Sequence, residues 1–390
     1  MDPVLASPCP MAEALRLAAE AIGLCEPNPR VGCVIVADDG RVIGRGHTQE
    51  AGGPHAEVMA LRDAAHAGAD VRGATLYVTL EPCSHYGRTP PCTSALIRAG
   101  LSRVVMAVED PNPLVRGAGA AQLRAAGITV ELGDAAASHA ARELNIGFFS
   151  RMQRGRPWTR LKAAVSLDGR SALENGASRW ITGATARADG HAYRKRASAV
   201  LTGVGTVRDD DPRLDVRLVP TARQPLRVVV DSRLEIPINA RVLEPPGEVL
   251  VYAAAAEARH RLALEQRGIE VVLLPSAHGK VDLPAVLAHL AGQGVNELHV
   301  EAGEKLSGSF VREELVDEYL VYVAPKLLGR GRDLARFGPL ASLDDAIGLR
   351  FESVDAIGAD LRIVARPANA AGTGPEPIDR LSRERNSGPG

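Results

Sequence analysis

The chain reads Glu-Pro-Cys-Ser-His-Tyr-Gly-Arg-Thr-Pro-Pro-Cys over residues 81–92, with Cys83 after a predicted strand and Cys92 at the start of a predicted helix. Upstream, His55-Ala-Glu57 opens another predicted helix. One imidazole and two thiolates form a set of zinc ligands that leaves the fourth tetrahedral position to water, as in catalytic zinc sites. Bound zinc lowers the pKa of that water towards ~7, and a nearby carboxylate can carry its proton. The pattern therefore predicts a zinc-dependent hydrolytic site with Glu57 as the proton shuttle.

The spacing of the two cysteines departs from the general signature of nucleobase zinc deaminases, H-x-E…P-C-x-x-C. The first half of that signature is intact, but eight residues rather than two separate Cys83 from Cys92. A single His-x-Glu or a single cysteine is common by chance, so only the combination indicates a metal site. The remaining cysteines, Cys9, Cys25 and Cys33, lack such settings and are interpreted as structural.

The length, net charge and cysteine distribution of the chain limit the classes of protein to which it can belong. The 390 residues suit two or three domains, and 46 Lys+Arg against 47 Asp+Glu give a net charge of −1, which argues against nucleic acid as a partner. No apolar run predicts a membrane span and the first residues lack a basic leader, so we expect a cytoplasmic protein. All five cysteines lie in the first quarter of the chain, an uneven set that indicates metal or thiol chemistry rather than disulfides.

Alternating helical and strand-like patterns predict two α/β domains with helices packed against a central sheet. The first domain, residues 1–150, is predicted to contain helix 12–24, strands 31–36 and 41–46 as a hairpin, helix 54–67, strand 75–80, helix 91–99, strand 103–108, helix 119–126 and strand 128–131. The polar, arginine-rich stretch 147–157 breaks the pattern and predicts the domain boundary.

The second domain, residues 151–366, repeats the alternation. Strands are predicted over 159–165, 199–201, 226–230, 249–252, 270–274, 297–300 and 318–323, and helices over 184–196, 256–267, 283–293 and 308–314. From Arg366 the chain is rich in Ala, Gly, Pro and Arg without an apolar period, so residues 367–390 are predicted to form a disordered tail.

Two glycine turns in the second domain are candidate nucleotide sites. Gly203-Val-Gly205 follows a strand, but Arg208 replaces the third glycine of G-x-G-x-x-G and residues 209–211 are acidic, so a tight turn is predicted there rather than a dinucleotide loop. The turn over 300–309 is a better phosphate cradle, because a helix start directs free amides at an anion. A plain strand-to-helix connection is the alternative.

Taken together, these motifs resemble the family of bifunctional riboflavin-biosynthesis deaminase–reductases, in which the eight-residue spacer is the usual form. The resemblance covers about residues 1–365 and rests on Pro27–Gly32, His55–Glu57, Glu81–Cys92, Leu161–Arg170, Ser178–Thr182, Thr206, Asp210–Pro212, Asp231–Arg233 and the turn at Glu301. It implies an α/β fold with an N-terminal cytidine-deaminase-like three-layer domain and a C-terminal dihydrofolate-reductase-like domain. A dihydrofolate-reductase-like domain would also explain the missing Rossmann fingerprint.

The resemblance also implies Zn²⁺ and NADPH as cofactors, together with their site residues. Zinc would be bound by His55, Cys83 and Cys92, and the deaminase substrate would be contacted by Asn28, His85 and Arg88. NADPH would be contacted by Ala164, Trp180, Thr206, Asp210, Ser232, Gly303, Glu304, Lys305, Leu306, Ser307, Gly308 and Ser309. The reductase substrate would be contacted by Lys162, Ser178, Leu214, Glu301, and by Arg194 and Arg217, whose guanidinium groups suit a phosphate. The alternatives are exposed loop positions for His85 and Arg88 and a core position for Trp180.

The implied reactions are deamination of 2,5-diamino-6-(5-phosphoribosylamino)pyrimidin-4-one and NADPH-dependent reduction of its ribosyl group to ribityl. The expected partner is this small molecule rather than nucleic acid or a membrane, and a homo-oligomer, dimer or tetramer, is expected. Two alternatives stay open. A nucleobase or nucleic-acid deaminase with an appended ligand-binding domain predicts C-x-x-C spacing and a basic face. A zinc-stabilised binding module predicts a fourth protein ligand and has no need of Glu57.

Overall fold

The computed structural model describes residues 9–86, 90–113 and 115–368. Arg88 and residues 369–390 of the predicted tail lie outside the described residues. The N-terminal part contains, in order, α1 (Pro10–Glu20), β1 (Gly32–Val36), β2 (Val42–His47), α2 (Ala56–His66), β3 (Thr75–Val78), α3 (Cys92–Ala99), β4 (Arg103–Met106), α4 (Ala118–Ala125), β5 (Thr129–Leu132), α5 (Ala135–Leu144) and α6 (Ile146–Arg154).

The first five strands form one sheet in the order β2-β1-β3-β4-β5. Strand β1 is antiparallel to both of its neighbours, whereas β3, β4 and β5 are parallel, which confirms the predicted hairpin. Two glycines of β2 allow α2 to pack closely: a Cβ at Gly44 or Gly46 would lie 2.4 Å from the carbonyl oxygen of Ala60 or Ala56. This close packing fixes the start of α2, and with it His55, against the sheet.

The C-terminal part contains β6 (Trp158–Ser166), β7 (Arg170–Leu173), α7 (Ala184–Arg196), β8 (Ala199–Gly203), α8 (Val204–Asp210), β9 (Leu226–Val230), β10 (Val249–Ala253), α9 (Ala258–Glu265), β11 (Glu270–Leu273), α10 (Leu283–Gly292), β12 (Glu297–Val300), α11 (Glu304–Arg312), β13 (Glu318–Ala324), β14 (Gly331–Asp333), β15 (Leu349–Ile357) and β16 (Asp360–Pro367). Nine of these strands form a sheet in the order β11-β10-β9-β8-β12-β6-β13-β16-β15. Since β6, β8, β9 and β12 are parallel, the turns that follow them meet at one edge of the sheet.

The structure corrects several local predictions. Residues 204–210, expected as a tight turn, form helix α8, and the expected break at 147–157 is largely occupied by helix α6. The helix expected at 308–314 begins four residues earlier, at Glu304, because Gly303 serves as its N-cap. Strand β16 runs through Pro367, one residue into the predicted tail. Cys25 and Cys33 are buried as expected for structural cysteines, but Cys9 is exposed.

Buried ion pairs connect the N-terminal and C-terminal parts. Glu297, the first residue of β12, pairs with Arg30 at 2.7 Å, with Arg196 at 2.8 Å and with Arg160 at 3.1 Å. Arg30 also pairs with Glu26 at 2.8 Å. Glu297, Arg30 and Arg160 are at most 3% exposed, so each charge depends on these partners for its compensation.

Candidate active sites

Three predicted ligands converge in the N-terminal part. His55 is the N-cap of α2, Cys92 is the first residue of α3, and Cys83 lies in the segment after β3. Nδ1 of His55 lies 3.5 Å from Sγ of Cys83 and 3.4 Å from Sγ of Cys92, and all three ligand atoms are within 4.8 Å of one another. Tetrahedral zinc with ordinary bond lengths separates its nitrogen and sulfur ligands by about 3.5 Å. The donor set and its spacing therefore fit zinc.

Two ionisable groups at this site are strongly perturbed. Burial raises the pKa of the Glu57 carboxyl to about 7, and the negative charge of Cys83 adds to the effect. Hydrogen bonds from Cys92 and His55 lower the pKa of the Cys83 thiol despite its burial, which favours the thiolate that binds metals. A carboxyl that titrates near neutrality, placed beside the metal ligands, is suited to proton transfer.

A cavity of about 380 Å³ opens onto the metal ligands His55 and Cys83, and its size suits a small-molecule substrate. Among the predicted residues, Asn28, His55, Glu57, Cys83 and His85 line it. Sequence reasoning missed other wall residues, which include Thr48, Glu81, Asp110, Asn112, Phe148 and Arg151. The structure thus brings together every predicted deaminase residue that it describes.

Glu81, the first residue of the cysteine motif, has a structural role in this wall. Its buried carboxylate accepts hydrogen bonds from the backbone amides of Asp110, Gly117 and Ala120 at 3.0–3.2 Å. These bonds attach the segment that carries Asp110 and Asn112 to the end of the strand that precedes Cys83. The Glu81-Pro82-Cys83 sequence therefore positions one wall of the cavity as well as a zinc ligand.

The second cluster lies at the edge of the nine-stranded sheet where β12 ends. Glu301 accepts two hydrogen bonds from the guanidinium group of Arg194, at 2.5 and 2.9 Å, and one from Lys162 at 3.5 Å. Burial opposes ionisation, but the charges of Arg194 and Lys162 outweigh it and hold the pKa of Glu301 well below its usual range. Nε2 of His299 lies 3.3 Å from the same carboxylate. Glu301 is therefore held as a carboxylate.

The two arginines expected at the substrate phosphate differ in availability. The third nitrogen of Arg194 donates to the backbone oxygen of Asp215, so each nitrogen of its guanidinium donates to a group within the protein. Arg217 donates one bond to the Asp215 carboxylate, at 2.5 Å, and its side chain is 46% exposed. Arg217 therefore retains donors for a phosphate, while Arg194 orients Glu301.

His191 was missed by sequence reasoning, although it lies one helical turn before Arg194 on α7. Its Nδ1 accepts a hydrogen bond from the backbone amide of Arg217 at 3.1 Å, and its Nε2 lies 3.5 Å from Nη1 of Arg194. Burial and the charges of Arg194 and Arg217 lower the pKa of His191 to about 4. The ring is therefore neutral at neutral pH and carries its proton on Nε2.

Two further predicted substrate residues, Ser178 and Leu214, lie near Asp210 and the Asp215–Arg217 segment. Ser178 donates a hydrogen bond to Asp210 at 3.1 Å, which joins a predicted substrate residue to a predicted cofactor residue. Leu214 is buried, and its φ of 56° is in the left-handed region that a leucine rarely adopts. Its backbone conformation thus redirects the chain between Asp210 and the Asp215–Arg217 segment.

Thr206, Asp210, Ser232 and residues 303–309, among the predicted cofactor residues, follow the carboxyl ends of parallel strands. The backbone amide of Gly303 donates to the hydroxyl of Thr206 at 3.0 Å, so the turn after β12 contacts helix α8, which follows β8. Ala164 lies in β6, and Ser232 follows β9. Trp180 is 60% exposed with the guanidinium of Arg187 stacked 4.4 Å from its ring centre, so the alternative of a core aromatic is wrong.

Several residues of the predicted phosphate cradle over 303–309 make contacts within the protein. A Cβ at Gly308 would lie 1.8 Å from the carbonyl oxygen of Arg336, so close packing accounts for that glycine. Glu304 pairs with Arg336 and accepts the amide of Asp333. The hydroxyls of Ser307 and Ser309 donate to backbone oxygens of the same segment. The free amides at the start of α11 therefore remain the cradle's donors to an anion.

Fold and sites together define a zinc-dependent deaminase joined to a reductase. The description "cytidine and deoxycytidylate deaminase zinc-binding region" matches residues 9–108, and "RibD C-terminal domain" matches residues 157–363. The chain belongs to the RibD family of riboflavin biosynthesis proteins. It is 43% identical to RibD of Aquifex aeolicus over 90% of this chain and 95% of that one, and 43% identical to RibD of Escherichia coli over 90% and 96%.

Solved structures agree with the family assignment. The structure of Acinetobacter baumannii RibD has a TM-score of 0.84 at 41% identity and covers 92% of this chain and 98% of its own. That of a Thermotoga maritima diaminohydroxyphosphoribosylaminopyrimidine deaminase/5-amino-6-(5-phosphoribosylamino)uracil reductase has a TM-score of 0.82 at 35% identity and covers 92% and 97%. The predicted family, the cytidine-deaminase-like and dihydrofolate-reductase-like folds, and the bifunctional enzyme with zinc and NADPH are thereby confirmed.

The two alternative functions find no support. The family match extends over both halves of the chain, which excludes an unrelated appended domain. Among the described residues, the group that could hold a metal has three members, so the fourth protein ligand expected of a zinc-stabilised binding module is not found there. No helix in the described part of the chain is long and apolar enough to cross a membrane.

Proposed function

We propose that the first site removes the exocyclic amine of 2,5-diamino-6-(5-phosphoribosylamino)pyrimidin-4-one and that the second reduces the ribosyl group of the product to ribityl. The observation that carries the proposal is the triad of His55, Cys83 and Cys92, two of whose members, His55 and Cys83, line one cavity together with Glu57. Zinc, when bound by the triad, supplies a water molecule of lowered pKa. Glu57 takes a proton from the attacking water and delivers it to the leaving amine, which departs as ammonia.

The other cavity residues have binding roles in this proposal. Asn28 and His85 line the cavity and carry polar groups that can orient the pyrimidine. Arg88, which lies outside the described residues, is assigned to the pyrimidine or its phosphoribosyl arm by resemblance alone. Binding groups of this kind speed a reaction by holding the substrate carbon in position for attack.

NADPH, when bound in the reductase site, would supply a hydride for C1 of the ring-opened ribosyl group. Ala164, Trp180, Thr206, Asp210, Ser232 and residues 303–309 are assigned to the cofactor, and Lys162, Ser178, Leu214 and Glu301 to the substrate. Arg217, with free donors, is assigned to the phosphate, and Arg194 contributes by orienting Glu301. Proximity of the two reactants accounts for most of the rate in such a transfer, so no side-chain acid is assigned.

A two-part assay tests these roles. Ammonia release is measured with the diaminopyrimidinone phosphate, and NADPH oxidation is measured with the deaminated product. Glu57→Gln is expected to slow ammonia release by about 10²- to 10⁴-fold and to leave NADPH oxidation unchanged. Arg217→Ala is expected to slow NADPH oxidation and to leave ammonia release unchanged. A wild-type protein that releases no ammonia and oxidises no NADPH would contradict the proposal, and full-speed deamination by Glu57→Gln would contradict the shuttle role.

We also propose a homo-oligomer, dimer or tetramer, formed through the end of the nine-stranded sheet. In β15, Leu349, Phe351 and Val354 share one face and are 43–67% exposed. Strand β15 is the last strand of the sheet, and its free edge can pair with the same strand of a second copy about a two-fold axis. Phe351→Glu is expected to lower the mass measured by light scattering, with Leu132→Glu, at an exposed leucine of β5, as the control. An unchanged mass for Phe351→Glu would place the contact elsewhere.

The remaining assignments are proposals of the same kind. We propose a deaminase domain over 1–150 and a reductase domain over 151–366; the two family matches lie on either side of the boundary between them. The net charge of −1 supports a small-molecule substrate rather than nucleic acid. We further propose a cytoplasmic location without membrane attachment, which fractionation of cells and detection of the protein can test.

A further inference from the structure

One wall of the deaminase cavity carries a positive charge that neither the sequence motifs nor the family resemblance assigns. Helix α6 contributes Phe148, Arg151 and Met152 to the cavity that is also lined by the zinc ligands His55 and Cys83. Arg151 is the only lysine or arginine among the described residues of this wall. It lies between the two family matches, which end at residue 108 and begin at residue 157.

Two nitrogens of the Arg151 guanidinium donate hydrogen bonds within the protein, and the third is available to a ligand. Its Nε donates to Oδ1 of Asn296 at 2.7 Å, its Nη2 donates to the backbone oxygen of Pro27 at 3.3 Å, and it stacks 5.7 Å from the ring centre of Phe148. Within the described residues its Nη1 has no hydrogen-bond partner in the protein, and no carboxylate lies within 4 Å of the group. The protein therefore fixes this cation without neutralising it.

The nearest candidate for neutralising Arg151 is engaged elsewhere. The Glu26 carboxylate accepts hydrogen bonds from Arg30, Ser198 and Asn296 at 2.8 Å each. Asn296 thus separates two charges: its Nδ2 binds Glu26, while its Oδ1 binds Arg151. Because the Asn296 amide is neutral, it positions Arg151 without compensating its positive charge, which remains available to a ligand in the cavity.

An anionic substrate requires such a charge in this cavity. The other ionisable groups of its wall include the acids Glu57, Glu81 and Asp110, which disfavour entry of an anion. The proposed substrate carries a phosphate separated from its reacting carbon by the ribosyl group, so the phosphate must be met by wall residues other than the zinc ligands. A guanidinium with one free edge donates charge-assisted hydrogen bonds to phosphate oxygens.

We propose that Arg151 binds the phosphate of the deaminase substrate and that Asn296, from the segment matching the RibD C-terminal domain, is its positioning residue. This inference rests on the proposed function and deepens it. It makes the first reaction dependent on a residue of the reductase part, since Asn296 directly precedes β12 of the nine-stranded sheet. Arg88 of the resemblance would act as a second cation, so the loss of Arg151 is expected to weaken phosphate binding without removing it.

The first test compares two substrates, the diaminopyrimidinone phosphate and the same compound after removal of its phosphate. Arg151→Met is expected to lower kcat/KM for the phosphorylated compound by about 10- to 100-fold, mainly through KM, because a hydrogen bond to a charged group is lost. It is expected to leave the dephosphorylated compound unaffected, and Arg151→Lys should restore part of the loss. The control is Arg98→Met, which removes an exposed arginine of α3 and is expected to change neither substrate. Equal losses on both compounds, or no loss on either, would overturn the proposal.

The second test addresses Asn296. Asn296→Ala is expected to raise KM for the phosphorylated compound in the same direction as Arg151→Met but by less, and to add no further loss in the double variant. NADPH oxidation with the deaminated product should stay unchanged, which a general loss of structure would not allow. Additive losses, or an equal loss of reduction, would remove Asn296 from the proposal.

The proposed function and this inference can fail separately. If the wild type releases no ammonia from either compound, the proposed function fails. Titration of ribose 5-phosphate into the wild type and into Arg151→Met then decides the inference on its own: weaker binding by the variant supports it, and equal binding by the two proteins overturns it.

Discussion

Replacing Glu297 with glutamine tests whether the buried ion pairs hold the two parts of the chain together. The carboxylate accepts hydrogen bonds from three arginines at 2.7–3.1 Å and is 1% exposed. Glutamine has nearly the same shape, but it loses the charge and points an N–H donor at guanidinium donors. Arg30 and Arg160 each keep a second carboxylate, whereas Arg196 keeps none among the described residues. Breaking a buried pair costs about 3–5 kcal/mol, and we expect the free energy of unfolding to fall by that amount.

The effect of this substitution has a defined pH dependence. Burial alone would raise the pKa of Glu297, but Arg196, Arg30 and Arg160 hold it far below its usual range. A carboxyl whose pKa is lower in the folded than in the unfolded chain contributes stability above its unfolded value of about 4.3, and this contribution is lost as the pH falls towards the folded value. The difference between wild type and variant is therefore expected to be complete at neutral pH and to shrink below about pH 4.

Urea unfolding followed by tryptophan fluorescence measures the difference, because Trp158 lies opposite Glu297 in the register of β6 and β12. The matched control is Glu143→Gln. Glu143 pairs with Arg366 at 2.6 Å, but its side chain is 37% exposed, so the same chemical change is expected to cost less than about 1 kcal/mol. Equal shifts for the two variants would refute the reasoning that burial gives the Glu297 pairs their strength.

Three further outcomes are expected. Removing zinc with a chelator should abolish ammonia release and leave NADPH oxidation with the deaminated product unchanged; loss of both activities would show that the metal supports the whole fold. Gly46→Ala should lower the free energy of unfolding by about 1–3 kcal/mol and slow deamination, because the added Cβ would clash with the backbone of Ala56 at the start of α2. The control is Gly292→Ala, where a Cβ meets no atom within 4 Å. His191→Ala should raise KM for reduction about tenfold and spare deamination, since Nδ1 of the ring accepts the backbone amide of Arg217 and so positions this residue; equal effects on both reactions would contradict this role.

Local patterns in the sequence predicted the elements that depend on local chemistry. Helix α7 and strands β9 and β12 have the predicted bounds, because their apolar spacing and flanking turns are regular. The zinc ligands could be selected because three metal-binding residue types stand at element ends. Helix α5 was missed although Asp134 caps it by accepting the amide of Ala137, a signal that could have been used. The strand pair β15–β16 was missed because β15 is an exposed edge strand with no buried face.

Contacts between distant parts of the chain left no local pattern. Arg151 and Asn296 are 145 residues apart, and Arg30 and Glu297 are 267 residues apart. Arginines at these positions look like ordinary surface residues in the sequence, since arginine is mostly exposed in folded proteins. In the folded chain, helix α6 packs against β12, and Arg151 faces the deaminase cavity. Arg30 is buried, where it pairs with Glu297 at the start of β12. The contact of Asn296 with Arg151 left no sequence signal for the same reason.

Strand β12 connects the two sites mechanically. Glu297 at its start binds Arg30, which lies two residues after the cavity residue Asn28, and Glu301 at its end lies in the reductase cluster. Four residues of strand span about 13 Å, so the same short, fully buried strand supports a wall of one site and a carboxylate of the other. A disturbance at Glu297 therefore reaches both ends of this strand, and Glu297→Gln is expected to slow both reactions. Glu57→Gln changes only the group beside the metal ligands and is therefore expected to slow deamination alone.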